Sequence, residues 1–256
     1  MTAPIDLCTD GPIATLLLDR PDKRNAIMLS QWLAIPHLVA QAGAHSGTRV
    51  IVLRGAGGNF AAGADIGQFG QVFADRASTQ NYQAAMAAAT RAIEDSPLPV
   101  IAQIDGLCIG AGVALAAACD LRLAAGDARF AITPAKLGLI YSLADTARVM
   151  ALIGPEMTRD LLFTGRMIDA ANAHAIGLVG AVHAPGDLAA AVAEKAALIA
   201  ANSAWSHARG KQVVQKILAG ACDDDPQTLG WFADAPEGAD YREGLAAFAE
   251  RRKPRF

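Results

Sequence analysis

Asn59-Phe60-Ala61-Ala62-Gly63-Ala64-Asp65-Ile66 and Asp105-Gly106-Leu107-Cys108-Ile109-Gly110-Ala111-Gly112 are the two stretches on which the reading of this chain turns. Each follows an aliphatic run, Val50-Ile51-Val52-Leu53 and Val100-Ile101-Ala102-Gln103-Ile104, and each leads into a stretch that reads as helix. A strand that turns sharply into a helix leaves backbone N–H groups unpaired at the helix start, and small residues let a ligand oxygen approach them. Two such turns brought together can supply one N–H each to a single developing oxyanion.

Outward from these turns, strand and helix patterns alternate. Strands are expected over Ile13–Leu18, Val50–Leu53, Val100–Ile104, Leu121–Ala124 and Gly180–His183. Helices are expected over Ser30–Ala42, Thr79–Ser96, Gly112–Ala118, Ala144–Ile153, Pro155–Phe163, Ala170–Ile176 and Leu188–Ala201. Alternation of this kind predicts an α/β architecture. From Asn202 onward the strand signals stop, and helices are expected around Trp205–Leu218, Leu229–Phe232 and Tyr241–Arg251. This divides the chain into a core over 1–200 and a C-terminal helical region over 201–256.

With 256 residues, 53% of them hydrophobic, the chain can bury a substantial core, and its net charge of −3 gives no electrostatic reason to expect nucleic acid or a basic membrane patch as partner. Met1-Thr2-Ala3-Pro4-Ile5-Asp6 lacks a cationic segment followed by an apolar one, so the expected location is cytoplasmic. Cys8, Cys108, Cys119 and Cys222 form no C-x-x-C pair, which fits free thiols. The histidines show no metal-binding spacing, so no metal is expected. The apolar run from Gly106 to Cys119 falls short of the roughly 20 residues that a spanning helix needs. G-x-G-x-x-G, G-K-[ST] and G-x-S-x-G motifs are all missing, which argues against a dinucleotide fold, a phosphate loop and a serine hydrolase.

Five blocks in order carry a family resemblance: Asn25-Ala26 after Arg20-Pro21, the Phe60–Ile66 turn, Ile104-Asp105-Gly106 with its following glycines, Cys119-Asp120-Leu121-Arg122, and Tyr241–Phe248 running into Glu250–Phe256. Together they resemble the enoyl-CoA hydratase/isomerase family, the crotonase superfamily, over almost the whole chain. The resemblance implies a crotonase-like spiral of β-β-α units closed by a C-terminal helical oligomerisation region, assembled as a homotrimer or a dimer of trimers. It also implies an acyl-CoA thioester substrate whose enolate is held by two backbone N–H groups. Coenzyme A is part of the substrate, and no separate cofactor is implied. The two donors correspond to Ala64 and Ala111, the latter where many relatives carry glycine. By the same resemblance Lys23 and Arg24 lie near the coenzyme phosphates, Ala26, Ala62, Asp65 and Ile66 near adenine and pantetheine, and Phe232 and Arg251 reach the coenzyme from the C-terminal region. A solvated loop is the plainer alternative for Lys23 and Arg24.

The departures bear on the reaction. Hydratases of this family carry two glutamates where this chain has Ala114 and Pro134, and neither residue can move a proton. Thr133-Pro134-Ala135-Lys136-Leu137-Gly138-Leu139-Ile140-Tyr141 is similar instead to the methylmalonyl-CoA decarboxylase branch, whose active-site tyrosine corresponds to Tyr141, although that branch has histidine at the place of Ala64. Decarboxylation needs an oxyanion site and a proton donor but no strong base. Asp145 is the carboxylate nearest this loop in sequence, a candidate base for hydration or isomerisation, with a helix N-cap as its plainer role; Ser142 has the same ambiguity. Tyr141 can alternatively be a wall residue, and Phe69, Phe73, Tyr82 and Met86 either border the acyl chain or fill the core. A silent acyl-CoA binder is the rival from another class.

Overall fold

The computed structural model of the chain describes residues 4–256, so Met1–Ala3 of the start considered above lie outside the described residues. Strand β1 (Ile5–Asp10) turns back antiparallel on β2 (Ile13–Leu18). Helix α1 (Leu29–Ala44) leads to β3 (Val50–Gly55), and α2 (Phe69–Val72) and α3 (Arg76–Asp95) lead to β4 (Val100–Ile104). The next units are β5 (Leu107–Ile109) with α4 (Ala111–Ala118), then β6 (Leu121–Ala125), β7 (Arg129–Ala131) and α5 (Leu143–Thr164). The chain continues through β8 (Ile168–Asp169), α6 (Ala170–Ala175), β9 (Ala181–His183) and α7 (Leu188–Ala200). It ends in α8 (Ala204–Leu218), α9 (Pro226–Asp234) and α10 (Ala239–Ala249).

Six strands form one sheet in the order β1-β2-β3-β4-β6-β9, parallel from β2 onward, while β5, β7 and β8 form a second, smaller sheet. β4, β5 and α4, then β6, β7 and α5, are successive β-β-α units whose second strand enters the small sheet. This is the α/β spiral that the sequence predicts.

The central strands β3 and β4 of the large sheet are covered on both faces, which is why they read as nearly unbroken apolar runs. Along β3 the side chains alternate: Ile51 and Leu53 join the main core with Trp32, Phe60, Ile93 and Phe130, whereas Val50 and Val52 pack with Ile101 and Leu123 under Leu188 and Val192 of α7. Each such fully buried side chain contributes about 1.5–3 kcal/mol relative to leaving it in water. Gly154, at φ +73° and ψ 169°, breaks α5 into two helical segments, so the two patterns Ala144–Ile153 and Pro155–Phe163 are both present. Pro155 opens the second segment, where its missing N–H costs nothing.

Four strands and one helix escape the sequence reading. β1 is an exposed edge strand with little alternation; β5, β7 and β8 have three residues or fewer; α2 has four. Leu107–Ile109, expected to be part of a turn, is strand β5, paired in parallel with β7.

Candidate active site

The two glycine turns lie against one another. Ile109 N–H donates to Ala61 O at 2.9 Å, Ala61 N–H to Leu107 O at 2.9 Å and Phe60 N–H to Asp105 O at 2.7 Å. The packing is closest at two glycines: a Cβ on Gly112 would stand 2.6 Å from Ala61 O, and one on Gly63, which has φ +110°, a tight 3.2 Å from Ile109 O. The first turn is also tied to Ile27, whose N–H donates to Gly63 O at 2.7 Å and whose carbonyl accepts from Asp65 N–H at 2.9 Å. In a parallel bridge of this kind the residue between, Ala64, points its own N–H away from the partner. Ala111 is the first residue of α4, where backbone N–H groups have no partner inside the helix. Among the described residues neither the Ala64 nor the Ala111 N–H meets an acceptor. The geometry therefore offers two free donors on neighbouring turns, one of them at the positive end of a helix.

Two asparagines fasten the turns to the rest of the molecule. Asn25 is fully buried at φ +56°, accepts from Arg20 N–H at 2.9 Å and donates to Ala56 O at 2.8 Å and to Asn59 O at 2.6 Å. Asn59 in turn accepts from Leu107 N–H at 3.1 Å. The loop before α1 and both turns thus form one hydrogen-bonded unit. Both asparagines lie inside the sequence motifs but carry no predicted role; the available signal is that asparagine tolerates a left-handed backbone better than most residues.

Tyr141 approaches the second turn from the loop before α5. Its hydroxyl donates to Gly110 O at 3.1 Å, a carbonyl that also accepts Ala114 N–H at 3.1 Å. That carbonyl and the Ala111 N–H belong to the same peptide unit. Burial, and after it the Asp145 charge, push the Tyr141 pKa well above the ordinary tyrosine value, so the hydroxyl keeps its proton. Ser142, and not Asp145, caps α5: its Oγ accepts Asp145 N–H at 3.0 Å. The helix begins at Leu143, which makes Asp145 its third residue and corrects the N-cap reading of that aspartate. Both Asp145 oxygens are engaged, Oδ2 by the Ser142 hydroxyl at 2.6 Å and Oδ1 by Arg148 at 2.8 Å.

The remaining candidates divide by place. Lys23 and Arg24 are exposed, and Arg24 O accepts Ala62 N–H at 2.9 Å, which lays this cationic loop alongside the first turn. Ala26 and Ala62 are half-buried and Ile66 is exposed in the same neighbourhood. The Asp65 carboxylate is occupied by Arg20 at 2.8 Å and by Gly67 N–H at 3.0 Å, so it braces the turn. Phe232 lies exposed on α9 and Arg251 beyond α10; among the described residues no hydrogen bond or ion pair joins either to the turns. Phe69, Phe73 and Tyr82 stack edge to face, with ring centroids 4.9 and 5.8 Å apart along the series, and Tyr82 is buried in the core. Ala114 is fully buried and Pro134 opens a 3-10 turn, so no acid occupies either glutamate position. Thr133, which carries no role predicted from sequence, brings its hydroxyl to 3.6 Å from where a Cβ on Gly110 would stand.

A separate cavity of about 540 Å³ opens between the C-terminal end of α4 and α8, lined by Cys119, Arg122, Leu152 and His207 among others. α4 has eight residues, so this cavity lies about 12 Å along the helix from the Ala111 end. Among the described residues no cluster of His, Cys, Asp or Glu could hold a metal ion, and no helix is long and apolar enough to cross a membrane.

Residues 9–256 match the family profile described as Enoyl-CoA hydratase/isomerase. A crystal structure of an enoyl-CoA hydratase/isomerase family protein from Hyphomonas neptunium superposes with a TM-score of 0.97 at 40% identity, covering 100% of this chain and 98% of that one. The crotonyl-CoA hydratase of Syntrophomonas wolfei is 32% identical over 250 residues, 95% of this chain and 94% of that protein. A peroxisomal Delta(3,5)-Delta(2,4)-dienoyl-CoA isomerase of Arabidopsis thaliana is 28% identical over 260 residues, 97% of this chain and 94% of that protein.

Proposed function

The chain belongs to the enoyl-CoA hydratase/isomerase family, the crotonase superfamily, and from that premise we propose that it is an enzyme whose acyl-CoA substrate becomes an enolate held between the Ala64 and Ala111 N–H groups. The free donors on adjacent turns support this reading. Preorganised donors at a developing oxyanion are worth about 10²–10³ in rate each.

For the reaction we propose decarboxylation of a malonyl-type thioester. One observation carries the choice: both glutamate positions are occupied by residues without a proton, Ala114 and Pro134, while the protonated Tyr141 hydroxyl stands at the Ala111 peptide. In this step the bond from the α-carbon to the carboxylate breaks and CO2 departs. The electron pair moves into the thioester as an enolate whose oxygen takes the two N–H hydrogen bonds. The α-carbon then receives the Tyr141 proton, for which the hydroxyl must leave the Gly110 carbonyl, and solvent returns a proton to the tyrosine. A hydroxyl kept protonated suits a donor and not a base.

Lys23 and Arg24 are proposed to meet the coenzyme phosphates, with Ala26, Ala62, Asp65 and Ile66 along adenine and pantetheine. Phe232 and Arg251 are proposed to reach the coenzyme from a neighbouring copy, residues 201–256 being the assembly region of a trimer or a dimer of trimers. A second reading, hydration or isomerisation, is favoured by the names of the relatives; Asp145 would be its base and would first have to leave Arg148.

Mass analysis of the coenzyme A species, with chromatographic separation of isomers and a parallel binding titration, after incubation with a panel of malonyl-type and enoyl thioesters tests the proposal. Loss of CO2 is expected. Gain of water or an isomeric product transfers the assignment to the second reading, and unchanged thioesters that nonetheless bind tightly favour a silent acyl-CoA binder or a substrate outside the panel.

A further inference from the structure

The first turn of α5 is held by a continuous chain of charge-assisted hydrogen bonds. Ser142 donates to Asp145 at 2.6 Å, Arg148 donates to Asp145 at 2.8 Å, and the Nε and Nη2 of Arg148 reach the two Glu94 oxygens at 2.7 and 2.6 Å. The Arg148 and Asp145 side chains are only 12% and 8% exposed, which weakens the competition from water. Glu94 is itself fixed. It lies in the last turn of α3, whose carbonyls have no partner inside the helix, and α8 supplies partners: Lys211 donates to Ile93 O at 2.9 Å and Gln215 donates to Glu94 O. A planar guanidinium that bridges two carboxylates sets the orientation of both.

At the other end of this chain Tyr141 immediately precedes Ser142 and donates to Gly110 O, the carbonyl of the peptide that bears the Ala111 N–H. We infer that Arg148 is a positioning residue for the second turn: by bridging Asp145 and Glu94 it clamps the start of α5, so that Tyr141 holds the Gly110–Ala111 peptide in register with the thioester oxygen. A hydrogen bond accepted at a peptide carbonyl also polarises the same peptide's N–H and strengthens it as a donor. The role at the oxyanion rests on the function proposed above; the clamp does not.

Arg148→Met keeps the aliphatic stem and removes the cation, whereas Arg148→Lys keeps the charge and loses the fork. Two readouts apply: steady-state kinetics with the thioester that the parent enzyme turns over, and amide hydrogen exchange across residues 141–148. Loss of an oxyanion donor costs about 10²–10³, and a donor left present but loosened should cost about tenfold. The expected result is therefore about a tenfold fall in kcat for Arg148→Met with KM little changed, faster exchange over 142–146, and partial recovery of both by Arg148→Lys. Parental kcat and exchange in a folded Arg148→Met protein overturn the inference, as does a change confined to KM or a fall in kcat without faster exchange. If Arg148→Met does not fold, Glu94→Gln removes the far side of the bridge and is read in the same way. A parent inactive on every thioester defeats the proposed function, while the exchange measurement still decides the clamp.

Discussion

Tyr141 is the residue on which the proposed chemistry can be decided most directly. Tyr141→Phe removes one hydroxyl, and with it both the proton that the proposed mechanism delivers to the enolate and the hydrogen bond to Gly110 O. General acid catalysis contributes about 10²–10⁴, so kcat should fall by at least about 100-fold, read by steady-state kinetics; an unchanged kcat would take the tyrosine out of the mechanism. Asn25 tests the scaffold beneath. Asn25→Ala strands two carbonyls and the Arg20 N–H, and it places alanine at φ +56°. Buried groups left unpaired cost about 1–3 kcal/mol each, so urea unfolding should show a loss of several kcal/mol, with activity lost alongside. A cost near zero would mean that the turns hold together without it. These two residues also mark what sequence can reveal about a site. Tyr141 stood out because it sits in a motif and carries a proton. Asn25 works through contacts to residues more than 30 positions away, and nothing local to it announces them.

At the scale of elements, the glycine turns are sterically required rather than merely flexible. A methyl on Gly112 meets Ala61 O at 2.6 Å, and one on Gly106, at φ +51°, meets Gly58 O at 2.3 Å; both obstacles are backbone. Gly70, in α2, has nothing within 4 Å of the same position. Thermal unfolding should therefore show Gly112→Ala and Gly106→Ala strongly destabilised, on the scale of about 1–3 kcal/mol or more that overpacking costs. Gly70→Ala should be neutral or stabilised by up to about 1 kcal/mol. Equal effects at all three positions would mean that the turns relax. The same contrast explains how much of the fold was legible. β2 and β4 match their expected ranges residue for residue: β2 alternates buried Ala14, Leu16 and Leu18 with half-buried residues, and β4 is buried along its whole length. β5 and β7 are short, and what makes them strands is pairing with each other across the small sheet, which no local pattern encodes.

Over the whole molecule, burial separates the four thiols. Cys8 and Cys222 are exposed, whereas Cys108 and Cys119 are buried; burial first of all pushes Cys119 up to about 12 and Cys108 higher still. A group whose folded pKa is raised contributes stability that is fully present below its unfolded value and is lost as pH rises through the folded one. The melting temperature should accordingly decline as the solution is taken above about pH 9, the unfolded thiol range, and a Cys119→Ala protein should decline less. A larger question of shape is posed by the C-terminal helices. Phe232, Phe248, Leu218 and Ile217 are 82%, 85%, 67% and 60% exposed, a concentration of large apolar surface that a lone soluble chain rarely keeps. The helical pattern of residues 201–256 was legible, but the partner that would cover it cannot be written in one chain's local sequence. If these faces meet in a trimer or a dimer of trimers, sedimentation should give three or six times the chain mass. Joint replacement Leu218→Asp and Phe248→Asp should then release monomers, and thioester affinity should fall as the assembly is lost, because Phe232 and Arg251 would no longer reach a neighbour's coenzyme. A monomeric parent would remove the C-terminal helices from assembly, and a dissociated variant that binds thioesters as tightly as the parent would remove them from substrate binding.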